Sequence, residues 1–415
     1  MSFKKLKWYV SASILTAMFI VSINSCSSKN STQESSLNYN GEIKSETNNK
    51  TAPSNKDITG FSIEGALTVA ISEDSVDVVV PRLQDIRSLT PVITITGSSV
   101  TPASGVLQNF SSPVSYVVTA EDGTTKNYIV KVSKESIVSM VSVPVPAGGI
   151  TFPIGIDDSG TATIDKPFLI GITEVPYSLW YLVRLWALSH GYSFNNAGSE
   201  SYGSIPGAEP NYDQNYPVVI VTLRDVVVWC NALTEYINET EGTNYTLVYS
   251  YNGSYIKNSN GYCDLAVQDD QATGFRLPRS IEWEFAARWN GDDPTNTVPG
   301  YSNPFFLKGD SASGTSSNYS NVEETGSVAW YYSNSEGTVH PIKGKRPNKL
   351  GLYDMSGNVW EWAFDLHPTS APGCRILRGG SWGNQINSLR LGNMSFMYTG
   401  GGEGYTGFRV YRTAR

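Results

Sequence analysis

The sequence predicts a multidomain protein in which a small all-β sandwich precedes a larger domain of mixed α and β structure. The chain has 415 residues, which is more than one ordinary domain needs. Short runs rich in Val, Ile, Tyr and Thr recur between residues 57 and 134 and are separated by turn residues. From about residue 147 onwards, strand-like pieces, a few helices and long loops rich in Gly, Asn and Ser alternate without βαβ regularity.

The composition argues against one class of partner. The formal net charge is -8, and no basic run follows the first few residues, so we expect no nucleic-acid binding. The chain contains 24 Tyr and 10 Trp, while charged residues make up only 16%. This composition is typical of recognition surfaces built from Tyr, Ser, Asn and Gly, and also of a large aromatic core.

Residues 1–25 are predicted to form a lipoprotein signal peptide. Three lysines lie within the first seven residues, and the apolar run "WYVSASILTAMFIVSI" follows them. The sequence "INSC" resembles a bacterial lipobox, although Asn24 departs from its usual pattern. The resemblance implies cleavage before Cys26 and lipidation of its thiol, which would anchor an exported protein to the outer membrane or cell surface. The alternative is a plain signal peptide or a single anchor helix.

Three segments with different compositions follow the signal. Residues 26–56 are rich in Ser, Asn, Thr and Lys, so we expect a disordered tether. Residues 57–134 are predicted to form an antiparallel β-sandwich, and "SSPVSYVVTAEDGTTKNYIVKV" resembles the Ig-like or cadherin-like modules of bacterial surface lipoproteins. That resemblance implies a spacer. Residues 135–146 form a linker that ends in "VPVP" and leads to the domain at 147–415.

Three amphipathic helices are predicted in the second domain. The first begins after Pro176 and ends at Gly191. The second has Thr222 as its N-terminal cap, and the Asp225 side chain is expected to accept from the Thr222 N–H in return. The third has Ser280 as its cap. Their predicted apolar faces are Leu179, Leu182, Val183 and Trp186; Val226, Trp229, Cys230, Leu233 and Ile237; and Ile281 and Phe285.

A series of motifs in this domain resembles one known family. They are "PAGGITFPIG", "KPFLIGITEVPYSLW", "VVIVTLRDVVVWCNAL", "GFRLPRSIEWEFAAR", "NKLGLYDMSGNVWEW", "ILRGGSW" and "GFRV". In this order they resemble the sulfatase-modifying-factor, or formylglycine-generating enzyme, family over roughly residues 144–415. The resemblance implies a C-type-lectin-like fold with little regular secondary structure. It does not by itself imply an activity, because one fold carries many chemistries.

The residues required for the family's catalysis are absent. In catalytic members, two cysteines five residues apart follow "RGGS" and bind copper(I), which oxidises a substrate cysteine to formylglycine. The matching positions are Asn384 and Leu389, which offer no thiolate to a soft metal ion. We therefore expect no catalytic residue and no copper. The family position that bridges to Cys230 is Val410, so we expect no disulfide there.

The resemblance also implies one calcium site, in "GLYDMSGNVWEW". Its ligands would be the carboxylates of Asp354 and Glu361 and the carbonyls of Gly357 and Val359. Oxygen ligands of this kind suit a hard cation. The alternative is a turn without a metal, held by the side chain of Asn358.

The segment from Gly383 to Thr406 is the candidate binding surface. Some lipoproteins of this fold end directly after "GFRV" and use the matching stretch to bind ligands, and the present chain resembles that layout. Aromatic and amide side chains provide adaptable contact area for a protein or glycan ligand. The alternative is that the segment closes the fold with Leu389, Leu391 and Met397 buried. The candidate ligand-binding residues are Asn384, Gln385, Asn387, Asn393, Phe396, Tyr398 and Tyr405, with Trp330, Tyr331 and Tyr332 expected nearby.

These observations predict a lipid-anchored cell-envelope protein whose second domain is non-catalytic and binds a ligand through its C-terminal segment. One alternative is a formylglycine-generating oxidase that acts on a sulfatase cysteine with rearranged thiols. A second alternative is a structural component of an envelope assembly.

Overall fold

A computed structural model describes residues 52–82, 84–212, 214–368 and 373–414. The predicted signal peptide, most of the predicted tether and the predicted lipidation site at Cys26 lie outside these ranges. Within them, no helix has the length and apolar character needed to cross a membrane.

In the part that the structure describes, the first domain is a β-sandwich of seven strands in two sheets. One sheet pairs β1 with β4, and the other has the order β2-β3-β7-β6-β5. Val76, Val78 and Val80 of β3 alternate with more exposed residues and pack into the core between the sheets, as the alternating sequence predicts. The strands are Ile58–Ser62 (β1), Thr68–Ile71 (β2), Ser75–Val80 (β3), Val92–Ile95 (β4), Ser99–Thr101 (β5), Val114–Thr119 (β6) and Thr125–Lys134 (β7).

One ladder of the sandwich differs from the predicted antiparallel arrangement. Strand β3 pairs with β7 in parallel, with Ser75 opposite Ile129 and Val80 opposite Lys134. These strands are far apart in sequence, and the intervening chain crosses the sandwich before it returns in the same direction. Such a crossover leaves no local turn signal, so strand runs and turn residues alone do not reveal it.

Within the described ranges, the second domain combines short sheets with four α-helices. One four-stranded sheet has the order β15-β22-β11-β8, and another has the order β20-β19-β18-β21. Its strands are Met140–Val143 (β8), Ile150–Ile154 (β9), Gly160–Ile164 (β10), Phe168–Gly171 (β11), Tyr249–Tyr251 (β12), Ser254–Tyr255 (β13), Val267–Gln268 (β14), Phe275–Arg276 (β15), Trp289–Gly291 (β16), Phe305–Phe306 (β17), Trp360–Leu366 (β18), Cys374–Arg378 (β19), Ser395–Tyr398 (β20), Thr406–Gly407 (β21) and Tyr411–Thr413 (β22). The helices are Tyr177–Leu188 (α1), Leu223–Glu241 (α2), Ser280–Arg288 (α3) and Val322–Val328 (α4), with 3-10 helices at Gly261–Leu265 and Ile386–Leu389.

Helix α2 has the predicted capping box. The Thr222 hydroxyl accepts from the backbone N–H of Asp225, and the Asp225 carboxylate accepts from the N–H of Thr222. Gly242 ends the helix in the left-handed conformation, with φ of 69°. The core of the domain forms around this helix, where Trp229 stacks on Trp180 of α1 with ring centroids 5.6 Å apart.

The apolar faces of α1 and α3 differ from the prediction at two positions. Leu179 and Val183 are buried, but Leu182 is 41% exposed. In α3, Phe285 is buried and Ile281 is 37% exposed. The predicted cap of α3 is also wrong by one residue. Ser280 is the first helical residue and Arg279 is the cap, because the Glu282 carboxylate accepts from the N–H of Arg279. The N–H of Ser280 donates to the carboxylate of Asp365 on β18.

Candidate functional site

The two positions that the motif resemblance matches to catalytic cysteines are occupied by residues that bond or pack within the fold. The Asn384 amide oxygen accepts from the Ser381 hydroxyl at 2.7 Å, and the Asn384 carbonyl accepts from the N–H of Tyr332 at 2.9 Å. Leu389 closes the 3-10 helix and is completely buried against Val328 and other apolar residues. Neither side chain offers a soft ligand.

The cysteines of the described residues are all buried and unpaired. They are Cys230, Cys263 and Cys374. Cys230 lies within the core face of α2, where burial raises its thiol pKa far above the usual range. The Cys263 thiol donates to the Asn258 carbonyl, and burial raises its pKa to about 12. These two thiols are therefore protonated at neutral pH and behave as small apolar groups.

The predicted binding segment forms the edge of a sheet. Strand β20 is the outer strand of the order β20-β19-β18-β21 and pairs only with β19 among the described strands. Its side chains alternate, with Met397 half-buried while Phe396 and Tyr398 are 49% and 60% exposed. Tyr405, further along the segment, is 37% exposed. The aromatic candidates are therefore accessible.

The amide candidates divide into two groups. Gln385 and Asn387 have exposed side chains. Asn393 uses its side-chain N–H to donate to the Ser388 carbonyl, and its own carbonyl accepts from Arg378. Asn393 therefore bonds within the fold, whereas the aromatic residues face solvent.

A groove of about 310 Å³ lies beside this segment. Trp360 and Ser381 line its inner part, and Asn384, Ser395 and Tyr405 line the rest together with neighbouring residues. The groove therefore lies beside Asn384, one of the two positions matched to cysteines, and beside the exposed ring of Tyr405.

The aromatic run predicted to lie near the segment only partly does so. Tyr332 is 61% exposed and bonds through its N–H to Asn384. Tyr331 is buried, and Trp330 stacks on His340 with ring centroids 3.8 Å apart. Only Tyr332 therefore adds accessible aromatic surface.

The residues of the predicted calcium site lie in a buried charged cluster. Both Glu361 oxygens accept from Arg409, and one also accepts from the Trp283 indole N–H. Asp354 accepts from the N–H of Lys343 through Oδ2, whereas its buried Oδ1 has no partner among the described residues.

A third carboxylate, which the sequence did not single out, belongs to the same cluster. Glu174 is completely buried and accepts from the Asn358 amide at 2.8 Å and from the N–H of Val359 at 3.1 Å. Glu174 lies about 180 residues before this loop in the sequence, so no local pattern indicates that the two are in contact. Burial, followed by repulsion from Asp354 and Glu361, raises the pKa of Glu174 well above its usual value, and burial raises the pKa of Asp354 to about 6.

The cluster is not a site built from side chains alone. No group of three or more His, Cys, Asp or Glu side chains in the described ranges is arranged to hold a metal ion. A cation here would need the backbone carbonyls as well as the free oxygen of Asp354.

Comparison with known proteins identifies the second domain. The family model described as "Sulfatase-modifying factor enzyme 1-like domain" matches residues 127–414. The chain belongs to the sulfatase-modifying factor enzyme 1-like family. A second model, "SGBP, N-terminal", matches residues 58–132 and covers the sandwich.

Individual relatives of this sulfatase-modifying-factor-like protein include one named as a chaperone and one named as an inactive enzyme. "Chaperone protein LppX" from Paenibacillus barcinonensis is 32% identical over 180 residues, which cover 42% of this chain and 62% of the relative. "Inactive C-alpha-formylglycine-generating enzyme 2" from Bos taurus is 34% identical over 119 residues, or 26% of this chain and 33% of the relative. This chain therefore matches less than two thirds of the length of either relative.

The fold of the sulfatase-modifying-factor-like domain also matches a solved structure. The structure titled "Crystal Structure of CarF" is 26% identical, with a TM-score of 0.51, and the match covers 67% of this chain and 99% of that chain. This agrees with the fold class predicted from the motifs.

Proposed function

We propose that this is a lipid-anchored cell-envelope protein whose second domain binds a protein or glycan ligand without catalysing the family's oxidation. One observation carries the proposal. At the two positions matched to the catalytic cysteines, Asn384 is bonded to Ser381 and Leu389 is buried, yet a groove remains beside Asn384 with Tyr405 exposed at its edge. The fold thus keeps a recognition surface where the thiol chemistry has been lost.

The thiol chemistry of the described residues supports the non-catalytic role. Copper(I) requires accessible thiolates. Cys230 and Cys263 have raised pKa values because they are buried, and Cys374 is buried within strand β19. A relative named as inactive agrees with a family in which members keep the fold without the catalytic activity.

The exposed aromatic side chains support ligand binding. Phe396, Tyr398 and Tyr405 expose large rigid rings on one short segment, next to the exposed amides of Gln385 and Asn387. Such side chains bind at a small cost in conformational entropy. The similarity to a protein named as a chaperone favours a polypeptide ligand over a glycan.

The anchor rests on the amino-terminal sequence. Cys26 follows an apolar run and precedes a polar tether, and acylation at this thiol would hold the two folded domains at a membrane surface. The sandwich, which matches the SGBP N-terminal model, would then act as a spacer. Incorporation of a labelled fatty acid into the wild-type chain but not into Cys26→Ala would support this anchor, and equal labelling would contradict it.

A structural calcium ion fits this domain in part. Asp354 offers a buried carboxylate oxygen that lacks a partner, which is a suitable ligand for a hard cation together with the carbonyls of Gly357 and Val359. Glu361 already accepts from Arg409, so it would have to share an oxygen. The ion would supply positive charge to a cluster in which three carboxylates face one guanidinium.

Site-specific photo-crosslinking in the cells that make the protein tests ligand binding. A photoreactive amino acid at Tyr405 should give a discrete adduct, whereas the same group at Leu107, which is 62% exposed on the sandwich, should not. Ser395→Arg, which fills the groove, should remove the adduct. Equal adducts at both positions, or none at Tyr405, would count against the groove.

Catalysis requires a separate assay. Copper-dependent oxygen uptake with a cysteine-containing sulfatase peptide would contradict the non-catalytic role.

A further inference from the structure

A second cleft lies on the opposite side of strand β19 from the groove. Side chains alternate across a strand, and Leu377 lines the groove while Ile376 and Arg378 line the cleft. Its other walls are the β9–β10 hairpin, the first turn of α3 and the end of β18. With a volume of about 730 Å³, it is large enough for several side chains of a ligand. We call it the acidic cleft.

The floor of the acidic cleft is an ion-pair network in which both oxygens of the central carboxylate have donors. Glu284 accepts from Arg378 at 2.8 Å through one oxygen, and from Arg288 and the N–H of Gly155 through the other. The side chains of Glu284, Arg378 and Arg288 are at most 2% exposed. The side chains of the floor are therefore held in place by their mutual bonds, and a ligand would be recognised by the side chains of the rim.

The rim carries an excess of negative charge. Asp157, Asp270 and Asp365 line the cleft, and Arg279 is the cation that faces them, 3.0 Å from Asp270 and 3.6 Å from Asp365. Arg276 and Arg375 also act on Asp270 and Asp365, so among the described residues Asp157 is the carboxylate of the rim that no guanidinium balances. Hydrogen bonds from Ser159 lower the pKa of Asp157, so this carboxylate stays ionised at neutral pH.

An apolar shelf adjoins these charges. Ile281 is 37% exposed, Leu366 59% and Met394 39%, and all three line the cleft. Phe396, which is 49% exposed, pairs with Ile376 across the sheet and extends the same face. Apolar side chains clustered in this way around a cleft mark an interaction surface.

We propose that the acidic cleft binds an extended polypeptide segment that carries a Lys or Arg flanked by apolar residues. The unbalanced carboxylate of Asp157 complements the cation, and the shelf complements the apolar neighbours. The adjacent edge strand β20 favours a polypeptide, because its outer backbone groups are unpaired among the described strands and a ligand strand satisfies them. This proposal goes beyond the groove and does not depend on it.

Selection from a library of short random peptides displayed on phage tests the proposal with the full chain in detergent. Enriched sequences should contain a basic residue next to apolar residues. The best peptide, made with a fluorescent label, should bind more weakly as salt increases, because rim charges are screened. Failure to enrich peptides, or enrichment of sequences without a basic residue, would overturn the proposal.

Matched variants locate the binding. Asp157→Asn keeps the acceptor for Ser159 and removes only the charge, and we expect about threefold weaker binding. Ile281→Ser should weaken binding about tenfold, whereas Glu209→Gln, an exposed carboxyl away from the cleft, should leave it unchanged. Ser395→Arg, which fills the groove, distinguishes the two sites. If it abolishes peptide binding while Asp157→Asn and Ile281→Ser leave binding intact, the peptide occupies the groove and the acidic cleft is rejected.

Discussion

Arg409 and Glu361 form an ion pair that is shut off from solvent. The Arg409 Nη2 lies 2.7 Å from one Glu361 oxygen, Nε lies 3.1 Å from both, and the two side chains are 0% and 1% exposed. The remaining guanidinium donors reach the carbonyls of Gly171 and Tyr353. One residue thus joins strands β11 and β18 to the loop before the predicted calcium site.

Loss of this guanidinium should be costly. Arg409→Met leaves a buried carboxylate and two carbonyls without their donor, and we expect a loss of about 3–5 kcal/mol in unfolding free energy. Lys257→Met removes a half-exposed pair with Glu235 and should cost less than about 1 kcal/mol. Tryptophan fluorescence during urea unfolding reports on this domain selectively, because residues 57–134 contain no Trp. Similar losses of unfolding free energy for both variants would contradict the idea that burial makes the Arg409–Glu361 pair the costlier one to break.

Two buried tyrosines should respond oppositely to the loss of a hydroxyl. The Tyr411 hydroxyl is buried without a partner among the described residues, so Tyr411→Phe should leave stability unchanged or raise it by up to about 1 kcal/mol. The Tyr249 hydroxyl accepts from the N–H of Leu277 and donates to Gln268, so Tyr249→Phe should cost about 1–3 kcal/mol. The same unfolding assay compares them, and a larger loss for Tyr411→Phe would show that its hydroxyl has a partner after all.

Local sequence signals predict much of the fold. The Thr222–Asp225 capping box and the alternation in β3 follow from residues close together in the chain, and the structure contains both. The signals fail where the decisive contact is remote. The crossover to β7 makes one ladder parallel. Periodicity also does not show that Leu182 and Ile281 lie at clefts rather than in the core.

The candidate site was predictable only in outline. The motif match places the C-terminal segment and the missing cysteines, but the residues of the segment contribute differently. Asn393 and Asn384 bond within the fold, whereas Tyr398 faces solvent, and composition does not separate these roles. Glu174 and the acidic cleft arise from elements that lie far apart in the sequence, so no spacing rule finds them.

Two glycines of the binding segment should differ sharply in tolerance. A Cβ added at Gly392 would overlap the backbone of Gly155, whereas a Cβ at Gly383 would meet no atom within 4 Å. Gly392→Ala should therefore cost about 2 kcal/mol or more, because the β9 end and the segment must move apart. Gly383→Ala should change stability by less than about 0.5 kcal/mol. Thermal unfolding of the two variants checks this difference, and equal melting temperatures would contradict the close approach.

The buried carboxylates predict a pH dependence that calcium should reverse. In the absence of metal, burial raises the pKa of Asp354 from 3.8 to about 6, so the folded state binds more protons than the unfolded state between these values. Protonated Asp354 therefore contributes to the unfolding free energy below about pH 4. This contribution, roughly 3 kcal/mol at most, is lost as the pH rises through about 6. The pKa of Glu174 is raised as well and adds to the same trend.

Calcium would supply the charge that the ionised carboxylates lack, so it should restore stability above about pH 6 and have little effect near pH 4. Melting temperatures measured across this range with chelator and with calcium give both curves. Asp354→Asn should flatten the chelator curve and remove most of the calcium effect, while Asp269→Asn, an exposed carboxyl, should change neither. Identical curves with chelator and with calcium would rule out the metal and leave the Asn358 turn as the reason for this loop's structure.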